Sequence, residues 1–406
     1  MSAPGIAIVG GGIGGLALAL ALHARGLACQ VYEGASELRE IGVGITLLPH
    51  AMRELAALGL QERIEPLGIE NLESVFFNRW GQFIYREARG RHAGYPLPEI
   101  GIHRGKLHRV LVDAVRERLG AQALHLDHHC TGVQQDGEGV AIAFEGRAPA
   151  RAGIVVACDG VNSAVRAQFY PGEALAFTGI NTWRGVSLHA PILTGRSYLR
   201  IGSIDTGKMV IYPIVDAADG QGRQWINWVA EIRQDVRERN DWNKPGRLED
   251  FIGIFEPWKF DWLDVPALIR SAAQVFEYPM VDKDPVARWT FGRVTLLGDA
   301  AHPMYPRGSN GSAQALIDAR VLADELAAAV DPLSALQAYE ARRLQATARI
   351  VQTNRTVPPD FIIMKADALS GGQPFAGSID DLVSPQELRR ISEEYKQVAG
   401  FALKDL

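Results

Sequence analysis

The sequence IAIVGGGIGG at residues 6–15 places a glycine-rich turn between an apolar strand and a helix. Gly10, Gly12 and Gly15 satisfy the pattern Gly-x-Gly-x-x-Gly. In that pattern the first glycine permits a tight turn, the second lets the backbone approach a pyrophosphate, and the third lets the helix pack on the strand. The N-terminus of the helix then faces the diphosphate. The stretch therefore predicts a dinucleotide-binding turn.

The residues that follow complete a βαβ unit. Apolar residues recur at helical spacing from Ile13 to Ala21, and Gly26 ends the helix. Residues 28–32 then predict a second strand. Glu33 stands at the end of that strand, where an acidic side chain accepts hydrogen bonds from an adenosine ribose; a solvated carboxylate is the alternative. The unit alone does not distinguish NAD from FAD.

The composition excludes several classes of function. A content of 42 basic and 47 acidic residues gives a net charge of −5, which offers no electrostatic footprint for nucleic acid or for an anionic membrane. Cys29, Cys130 and Cys158 are widely spaced, which favours neither a disulfide framework nor a thiolate metal site and fits a cytoplasmic protein. The histidine spacings indicate no metal site either. The apolar stretch at residues 6–22 is interrupted by glycines, unlike a signal sequence or a membrane span.

Later segments predict two kinds of structure. Residues 103–119 have the pattern of an amphipathic helix, and residues 154–158 and 294–297 predict short buried strands. Between residues 177 and 278 aromatic-rich strands alternate apolar and polar side chains, which predicts an antiparallel sheet. The remaining helical patterns cover residues 312–330 and a terminal helix that follows the capping box Ser384-Pro385-Gln386-Glu387.

Two further motifs suggest a family. Residues 158–166 read CDGVNSAVR and residues 298–303 read GDAAHP. Together with the glycine turn, these segments resemble the flavoprotein aromatic hydroxylases, which include p-hydroxybenzoate and salicylate hydroxylases. The resemblance spans residues from about 5 to 350. Within the family, the segments that are most similar to phenazine monooxygenases are residues 182–186, 278–282 and 308–311.

The resemblance implies FAD as the cofactor. Asp299 directly follows a predicted strand and corresponds to the family aspartate that accepts hydrogen bonds from the ribityl chain. The loop from Pro306 to Gly311 opens a helix, whose positive end would stabilise negative charge at the pyrimidine side of the reduced flavin. Family members more often carry Gly-Gln-Gly where this chain has Ser309-Asn310-Gly311. His302, in the same motif, is expected to be a structural, hydrogen-bonded histidine.

The family pattern adds three more groups of cofactor residues. Asp159 and Arg166 belong to the Asp-Gly motif, which the family links to FAD and to the nicotinamide cofactor; a simple Asp-Gly turn is the alternative. Arg104 matches a flavin-contacting Arg-x-x-Leu pattern and also fits a solvated helix start. Arg39 and Gly44 belong to an Arg-x-x-Gly-x-Gly pattern that an ordinary loop would also show. The predicted cofactor-binding residues are Gly10, Gly12, Gly15, Glu33, Arg39, Gly44, Arg104, Asp159, Arg166, Asp299, Pro306, Gly308 and Gly311.

These inferences predict an α/β protein with a Rossmann-type FAD-binding domain on a parallel sheet, an antiparallel-sheet substrate domain and a C-terminal helix. The predicted boundaries are residues 1–74, 98–176 and 275–365 for a discontinuous FAD-binding domain, residues 75–97 and 177–274 for the substrate domain, and residues 366–406 for the helical tail.

The chemistry would reside in the flavin, so no side chain is assigned a catalytic role. NADH or NADPH would reduce FAD, and the reduced flavin would capture O2 as a C4a-hydroperoxide that passes one oxygen atom to a small aromatic substrate. Only one nucleotide fingerprint is present, which fits a transiently bound nicotinamide cofactor. A monomer and a homodimer are both compatible with the sequence.

The substrate domain carries most of the aromatic residues, since seven of the eight tryptophans lie between residues 183 and 289. Aromatic rings are plausible pocket walls, although most single rings are core residues. The candidate pocket residues are Trp183, Arg184, Met209, Tyr212 and Trp228, and Arg184 is suited to pair with a substrate carboxylate. The likeness to the phenazine enzymes implies a fused or N-heteroaromatic acid, with simple hydroxybenzoates as the alternative.

Three other functions were weighed. A flavin halogenase is disfavoured because its Trp-x-Trp-x-Ile-Pro signature is absent. A flavin dehydrogenase or reductase that does not use O2 would form a product without added oxygen. A non-catalytic flavin-binding protein would show no substrate-stimulated NAD(P)H consumption.

Overall fold

The computed structural model describes residues 5–38, 42–234 and 245–403. The strands, numbered in chain order, are β1 (Ile6–Val9), β2 (Cys29–Tyr32), β3 (Gly44–Leu47), β4 (Gly68–Glu70), β5 (Glu73–Phe77), β6 (Phe83–Ala88), β7 (Ile100–His103), β8 (Leu124–His125), β9 (Cys130–Gln135), β10 (Val140–Phe144), β11 (Arg147–Ala152), β12 (Ile154–Ala157), β13 (Ala176–His189), β14 (Ser197–Ile201), β15 (Lys208–Val215), β16 (Gln224–Arg233), β17 (Lys259–Phe260), β18 (Leu263–Asp264), β19 (Ala272–Asp282), β20 (Thr290–Phe291) and β21 (Val294–Leu296).

The helices surround and connect these strands. They are α1 (Ile13–His23), α2 (Pro49–Ala57), α3 (Gln61–Ile64), α4 (Arg104–Leu119), α5 (Ala164–Phe169), α6 (Ile252–Phe255), α7 (Val265–Arg270), α8 (Gly311–Ala328), α9 (Pro332–Thr356), α10 (Phe361–Ser370) and α11 (Pro385–Ala399).

A six-stranded sheet forms the first layer, in the order β20-β21-β12-β1-β2-β8. Strand β1 lies inside the sheet and pairs in parallel with β12 and β2, and β12 pairs in parallel with β21. The register aligns Val9 with Ala157 and Ala157 with Leu296. All three strands therefore end at one edge, and the chain segments that leave them must start side by side. The predicted βαβ unit of β1, α1 and β2 is confirmed.

The sheet is buried by helices. Helix α1 packs between α8 and α4, and its residues from Gly15 to Leu22 are buried. Strands β1 and β12 are buried along their whole length. Continuous apolar runs are typical of parallel strands covered on both faces. The largest hydrophobic core forms here.

A seven-stranded sheet forms the second layer, in the order β19-β13-β16-β15-β14-β5-β6. Its pairings are antiparallel, as the alternating pattern predicted, except that β14 and β5 run in parallel. The predicted class, a parallel-sheet α/β layer combined with an antiparallel sheet, is confirmed.

The seven-stranded sheet has two distinct faces. The core face, which carries Trp183, Met209 and Trp228, packs against α6 and α7 in a hydrophobic cluster. The inner face, which carries Arg184, Tyr212 and Asn227, is turned toward the small antiparallel sheet β3-β7-β4. Register explains the division, because residues paired across strands point to the same face, as Trp183 and Met209 do through their shared neighbour Ala230.

The C-terminal helices complete the described chain. Helix α11 begins at Pro385, and the hydroxyl of its N-cap Ser384 accepts a hydrogen bond from Glu387 N at 3.2 Å. The predicted capping box is only half formed, because the Glu387 carboxylate pairs with Lys365 and Arg390 instead of the cap backbone. Across the described ranges, the helices lack the combination of length and apolarity needed to cross a membrane.

Candidate cofactor and substrate site

The three predicted motifs converge at the edge where β1, β12 and β21 end. Gly10 has a φ of +108°, and a Cβ atom at this position would lie 2.3 Å from the carbonyl oxygen of Cys158. The Gly10 N–H donates to the Tyr32 carbonyl at 2.8 Å. Both the backbone conformation and the closeness of the neighbouring strand therefore require glycine.

The other two motif glycines differ in what surrounds them. A Cβ on Gly15 would lie 2.0 Å from the Gly10 oxygen, so this glycine lets α1 start against the turn. A Cβ on Gly12 would meet no atom of the described residues within 4 Å. Gly12 therefore borders open space, and α1, which begins one residue later, directs its N-terminal dipole there. The turn is a cradle suited to a pyrophosphate.

Glu33 lies against this turn. Its carboxylate accepts hydrogen bonds from Gly11 N at 2.6 Å and from Ala35 N at 2.8 Å. On the other side, a ring nitrogen of His108 lies 2.7 Å from the Gly11 oxygen. A cavity of about 190 Å³, whose lining residues include Ser36, Leu38, His108, Arg109 and Arg116, adjoins this region. The position fits an adenosine moiety.

Asp159 carries an unsatisfied oxygen in the same place. Its Oδ2 accepts a hydrogen bond from Val165 N at 3.3 Å, whereas its Oδ1 is buried and has no partner among the described residues. Burial raises the pKa of this carboxyl above its ordinary value. A buried acceptor without a donor is costly in the protein alone, so the site suits a ligand that supplies hydroxyl groups.

Arg166 has an indirect role. Its guanidinium is fully buried and donates to Glu173, to the Asp284 carbonyl and to the carbonyls of Ala300 and Ala301 at 3.0 and 2.7 Å. These bonds occupy the guanidinium, so the prediction of a direct cofactor contact needs correction. Arg166 instead holds the loop that carries Asp299.

Asp299 and the following loop lie beside the glycine turn. The Asp299 side chain is exposed, and its Oδ1 lies 3.9 Å from the position of a Cβ on Gly311, where α8 begins. Pro306 starts a short 3₁₀ turn that ends at Gly308, and Ser309 adopts a left-handed conformation with φ of 55°. Asp159 and Asp299, together with the helix start at Gly311, are therefore neighbours along one edge.

Arg104 and Gly44 connect this edge with the second sheet. Arg104 is exposed at the start of α4, and its N–H donates to the Val43 carbonyl at 3.0 Å. The Gly44 N–H donates to Asn227 Oδ1, on the inner face, at 2.6 Å. Arg39 lies outside the described residues.

Three of the five predicted pocket residues are core residues. Trp183, Met209 and Trp228 are 1%, 0% and 0% exposed and lie on the core face. Trp183 stacks on Phe251 at 4.9 Å, and Trp228 Nε1 donates to Ser187 Oγ at 3.0 Å. The prediction was wrong for these residues because strand alternation turns them away from the cofactor edge.

Arg184 and Tyr212 lie on the inner face, where Arg184 is half-buried and Tyr212 is buried in a small hydrophobic cluster. The Arg184 Nε is buried and has no partner among the described residues, and its guanidinium lies 5.3 Å from the centre of the Tyr278 ring. Burial lowers the pKa of Arg184; Tyr212, Glu231 and Tyr278 oppose this shift, and the positive charge of Arg104 adds to it. Tyr212 stacks on Tyr198 at 5.0 Å. A half-buried cation whose Nε–H is buried and unpaired among the described residues is suited to an anionic partner.

Sequence reasoning missed two polar groups on this face. The Nδ2 of Asn227 is buried without a partner in the described chain. A polar residue inside the apolar run Trp225-Ile226-Asn227-Trp228 was the available signal. Lys208, 1% exposed, pairs with Asp360 at 2.5 Å and Glu231 at 3.1 Å, which ties the sheet to the start of α10.

His302 is structural, as expected. Its Nε2 lies 2.5 Å from Asp318 Oδ2, and Arg343 donates to the other oxygen of Asp318 at 2.6 Å. The Asp318 pKa is lowered because His302 and Arg343 outweigh the effect of its burial. This buried trio stabilises the base of the loop that carries Asp299.

Fold and site together define a class of protein: flavoproteins that hold FAD at the end of a Rossmann-type sheet and cover it with an antiparallel sheet. The glycine cradle and the unsatisfied Asp159 oxygen fit this cofactor. The chain belongs to the family described as FAD binding domain, whose model matches residues 5–354.

Known relatives agree with this class. The chain is 43% identical to the phenazine 1,6-dicarboxylic acid hydroxylase PhzS of Lysobacter antibioticus, over 86% of this chain and 89% of the relative. It is 34% identical to the 3-amino-4-hydroxybenzoate 2-monooxygenase PtnB3 of Streptomyces platensis, over 88% of each chain. The crystal structure of Klebsiella pneumoniae HpxO with FAD and uric acid shares the fold, with a TM-score of 0.78, 23% identity and coverage of 99% and 96% of the two chains. The chain is an FAD-dependent monooxygenase.

Proposed function

We propose that this enzyme uses NADH or NADPH and O2 to hydroxylate a fused or N-heteroaromatic acid of the phenazine-carboxylate type. The observation that carries the proposal is the half-buried Arg184, whose Nε is buried and has no partner in the described chain. The relative named for a phenazine dicarboxylic acid supports an acidic, fused-ring substrate.

The residues at the sheet edge would hold FAD along its length. Gly10, Gly12 and Gly15 form the pyrophosphate turn, and Glu33 lies where the adenosine ribose is expected. Asp159 and Asp299 would accept hydrogen bonds from the remaining hydroxyl groups of the cofactor. The loop that contains Pro306, Gly308 and Gly311 would border the flavin end, with Arg104 and Gly44 beside it. When bound, FAD supplies the redox and oxygen-transfer chemistry.

The inner face would bind and orient the substrate. Arg184 would pair with a carboxylate, because an anion there satisfies the buried Nε and offsets the repulsion from Arg104. The rings of Tyr212 and Tyr278 would flank an aromatic system, and Asn227 Nδ2 would donate to a ring nitrogen or oxygen. The seven-stranded sheet that carries these residues would exclude water from the reacting atoms.

We further propose the domain boundaries expected from the sequence and a cytoplasmic location. Strands β5 and β6, from residues 73–88, pair with strands from residues 176–282 in one sheet, which supports a substrate domain built from two segments. The cysteines Cys29, Cys130 and Cys158 are free, as a reducing compartment favours.

Substrate-stimulated NAD(P)H oxidation tests the activity. Phenazine carboxylic acids and hydroxybenzoates are compared on the purified yellow enzyme under ¹⁸O2, and mass spectrometry follows the product. We expect the phenazine acid to stimulate oxidation and to gain one ¹⁸O atom. A product without labelled oxygen would instead indicate a dehydrogenase, and no stimulation by any aromatic acid would indicate a non-catalytic flavoprotein.

Arg184→Met tests the substrate class. Loss of a charge-assisted hydrogen bond costs about 1.5–3 kcal/mol, so we expect KM for the carboxylated substrate to rise by about 10- to 100-fold. The flavin spectrum should not change. The control is Arg233→Met, on neighbouring β16, because Arg233 is exposed and its ion pair within the described part of the chain is with exposed Asp205 at 2.9 Å. An unchanged preference for acids over uncharged analogues in Arg184→Met would contradict the assignment.

A further inference from the structure

The C-terminal segment contacts the proposed flavin loop, although the family model ends at residue 354. Tyr395 of α11 reaches Gly308, where a Cβ would lie 1.4 Å from the Tyr395 hydroxyl oxygen and 2.4 Å from its Cζ. Tyr395 is buried, with 5% exposure. Gly308 therefore has to be glycine because of the tail and not because of a turn, since its φ is not in the left-handed region.

The Tyr395 hydroxyl continues into a chain of hydrogen bonds. It donates to Asn354 Oδ1 at 2.9 Å, and Asn354 Nδ2 donates to the Tyr305 carbonyl at 3.1 Å. Arg307 NH1 donates to the Asn354 carbonyl at 3.5 Å. The residues on both sides of Pro306 are thus held by one asparagine, which Tyr395 orients.

A second contact fixes the other end of the loop. The Phe401 ring stacks on His50 at 5.0 Å, and His50 Nε2 lies 2.9 Å from Asn310 Oδ1. Gln314 Nε2 donates to both Asn310 Oδ1 and the Ala399 carbonyl at 3.2 Å. Burial lowers the pKa of His50 to about 4, so its ring is neutral at physiological pH.

Hydrogen bonds to β6 and to Tyr95 hold the C-terminal tail in place. Lys396 Nζ and Ser392 Oγ bind Glu87 of β6 at 3.0 and 2.5 Å, and the Tyr95 hydroxyl donates to the Phe401 carbonyl at 2.7 Å. These bonds fix the tail to β6 and to the segment between β6 and β7. Loop residues 305–310 are then bounded by protein on the side of the tail.

We propose that Tyr395 is a positioning residue for the flavin, and that helix α11 sets the conformation of residues 305–310 and thereby the affinity and reduction potential of FAD. The inference rests on the proposed assignment of that loop to the flavin. It extends the cofactor site to a part of the chain beyond the family model.

Titration of the apoprotein with FAD, together with the midpoint potential of the holoenzyme, tests this proposal. Tyr395→Phe keeps the ring and removes the bond to Asn354, so we expect the FAD Kd to rise about threefold to tenfold, the range of one lost hydrogen bond. The flavin potential and visible spectrum should shift with it. The matched control is Glu394→Gln, on the same helix, because Glu394 is 54% exposed and pairs with Arg390. Tyr395→Phe with the Kd, potential and spectrum of the control would overturn the proposal.

A double-mutant cycle separates the tail from the loop. Gly308→Ala should weaken FAD binding by about tenfold or more in the wild-type background, because the methyl group meets Tyr395. In a Tyr395→Ala background the same substitution should change the Kd less than about twofold. Equal effects in both backgrounds would overturn the role of the tail and leave the assignment of the loop to the flavin in place. No effect of Gly308→Ala or Tyr395→Phe, while Asp299→Ala loses FAD, would overturn the assignment of the loop and the inference with it.

Discussion

At the scale of single residues, the site is recognised by groups that the protein leaves incomplete. Asp159 Oδ1 and Arg184 Nε are buried and lack partners among the described residues, and Gly12 borders open space. The two buried atoms would each cost stability without a ligand, because an unsatisfied buried polar atom loses its hydrogen bonds to water. Such costs are typical of binding sites, because the bound ligand supplies the missing hydrogen bonds.

Two of the motif glycines should respond differently to alanine. In Gly10→Ala the new Cβ would lie 2.3 Å from a backbone oxygen, so we expect the apoprotein itself to lose thermal stability. In Gly12→Ala the Cβ meets no atom of the described residues, so the melting temperature of the apoprotein should not change while FAD affinity falls. Thermal unfolding of both apoproteins and FAD titration check this contrast. An equal loss of apoprotein stability in the two variants would contradict it.

Sequence reasoning identified the glycines and acids because their roles are local. Gly10 is dictated by its own φ and by a neighbouring strand, and Asp299 directly follows a strand end, so both can be predicted from a short motif. The motif located Arg166 but did not predict its hydrogen-bond partners. Three of its five bonds run to the carbonyls of Asp284, Ala300 and Ala301, which lie 118 or more residues away in sequence, and the other two go to Glu173.

At the scale of elements, strand parity decides which side chains reach the substrate. Arg184 directly follows Trp183 on β13, yet the two residues lie on opposite faces of the sheet. The sequence predicted the strands but not which face would be turned toward the cofactor. That choice depends on contacts such as the bond between Gly44 and Asn227, which join segments distant in sequence. The sequence therefore predicted that side chains alternate between the two faces but not which set faces the cofactor.

A substitution at Lys208 tests whether its buried ion pairs hold the seven-stranded sheet to α10. Lys208→Met leaves the buried carboxylate of Glu231 without this cation and leaves Asp360 with its longer pair to Arg200 at 3.5 Å, so we expect a loss of about 3–5 kcal/mol in the free energy of unfolding. Arg233→Met breaks an exposed pair on the same sheet and should cost about 1 kcal/mol at most. Urea unfolding measures both. Similar small losses would show that the buried cluster does not hold the joint.

At the scale of the whole molecule, the cofactor would join parts that the chain keeps far apart. Gly10, Asp159 and Asp299 follow three strands of one sheet, and the tail reaches the same edge through Tyr395. The tail was predicted as a helix with an uncertain role, because a helical pattern indicates an element but not the surface that it covers. Its contact with Gly308 required the folded structure.

Removal of FAD should therefore affect these distant segments together. At a FAD concentration 100 times its Kd, binding stabilises the protein by about 2.7 kcal/mol, so the apoprotein should unfold several degrees lower. Hydrogen exchange should increase in the segments after β1, β12 and β21 and in the loop at residues 305–310. Faster exchange in only one of these segments would contradict a single shared site.

The alignment of Val9 with Ala157 and Leu296 also bears on biosynthesis. Strand β1 leaves the ribosome first, but its neighbour β12 emerges much later and β21 later still, so the central strand waits for partners from the second half of the polypeptide. Such distant pairing is slow to form. Because Asp299 follows β21, we expect a nascent chain to acquire the yellow colour of bound flavin only after β21 has docked, so pigmentation would report that the parallel sheet has assembled.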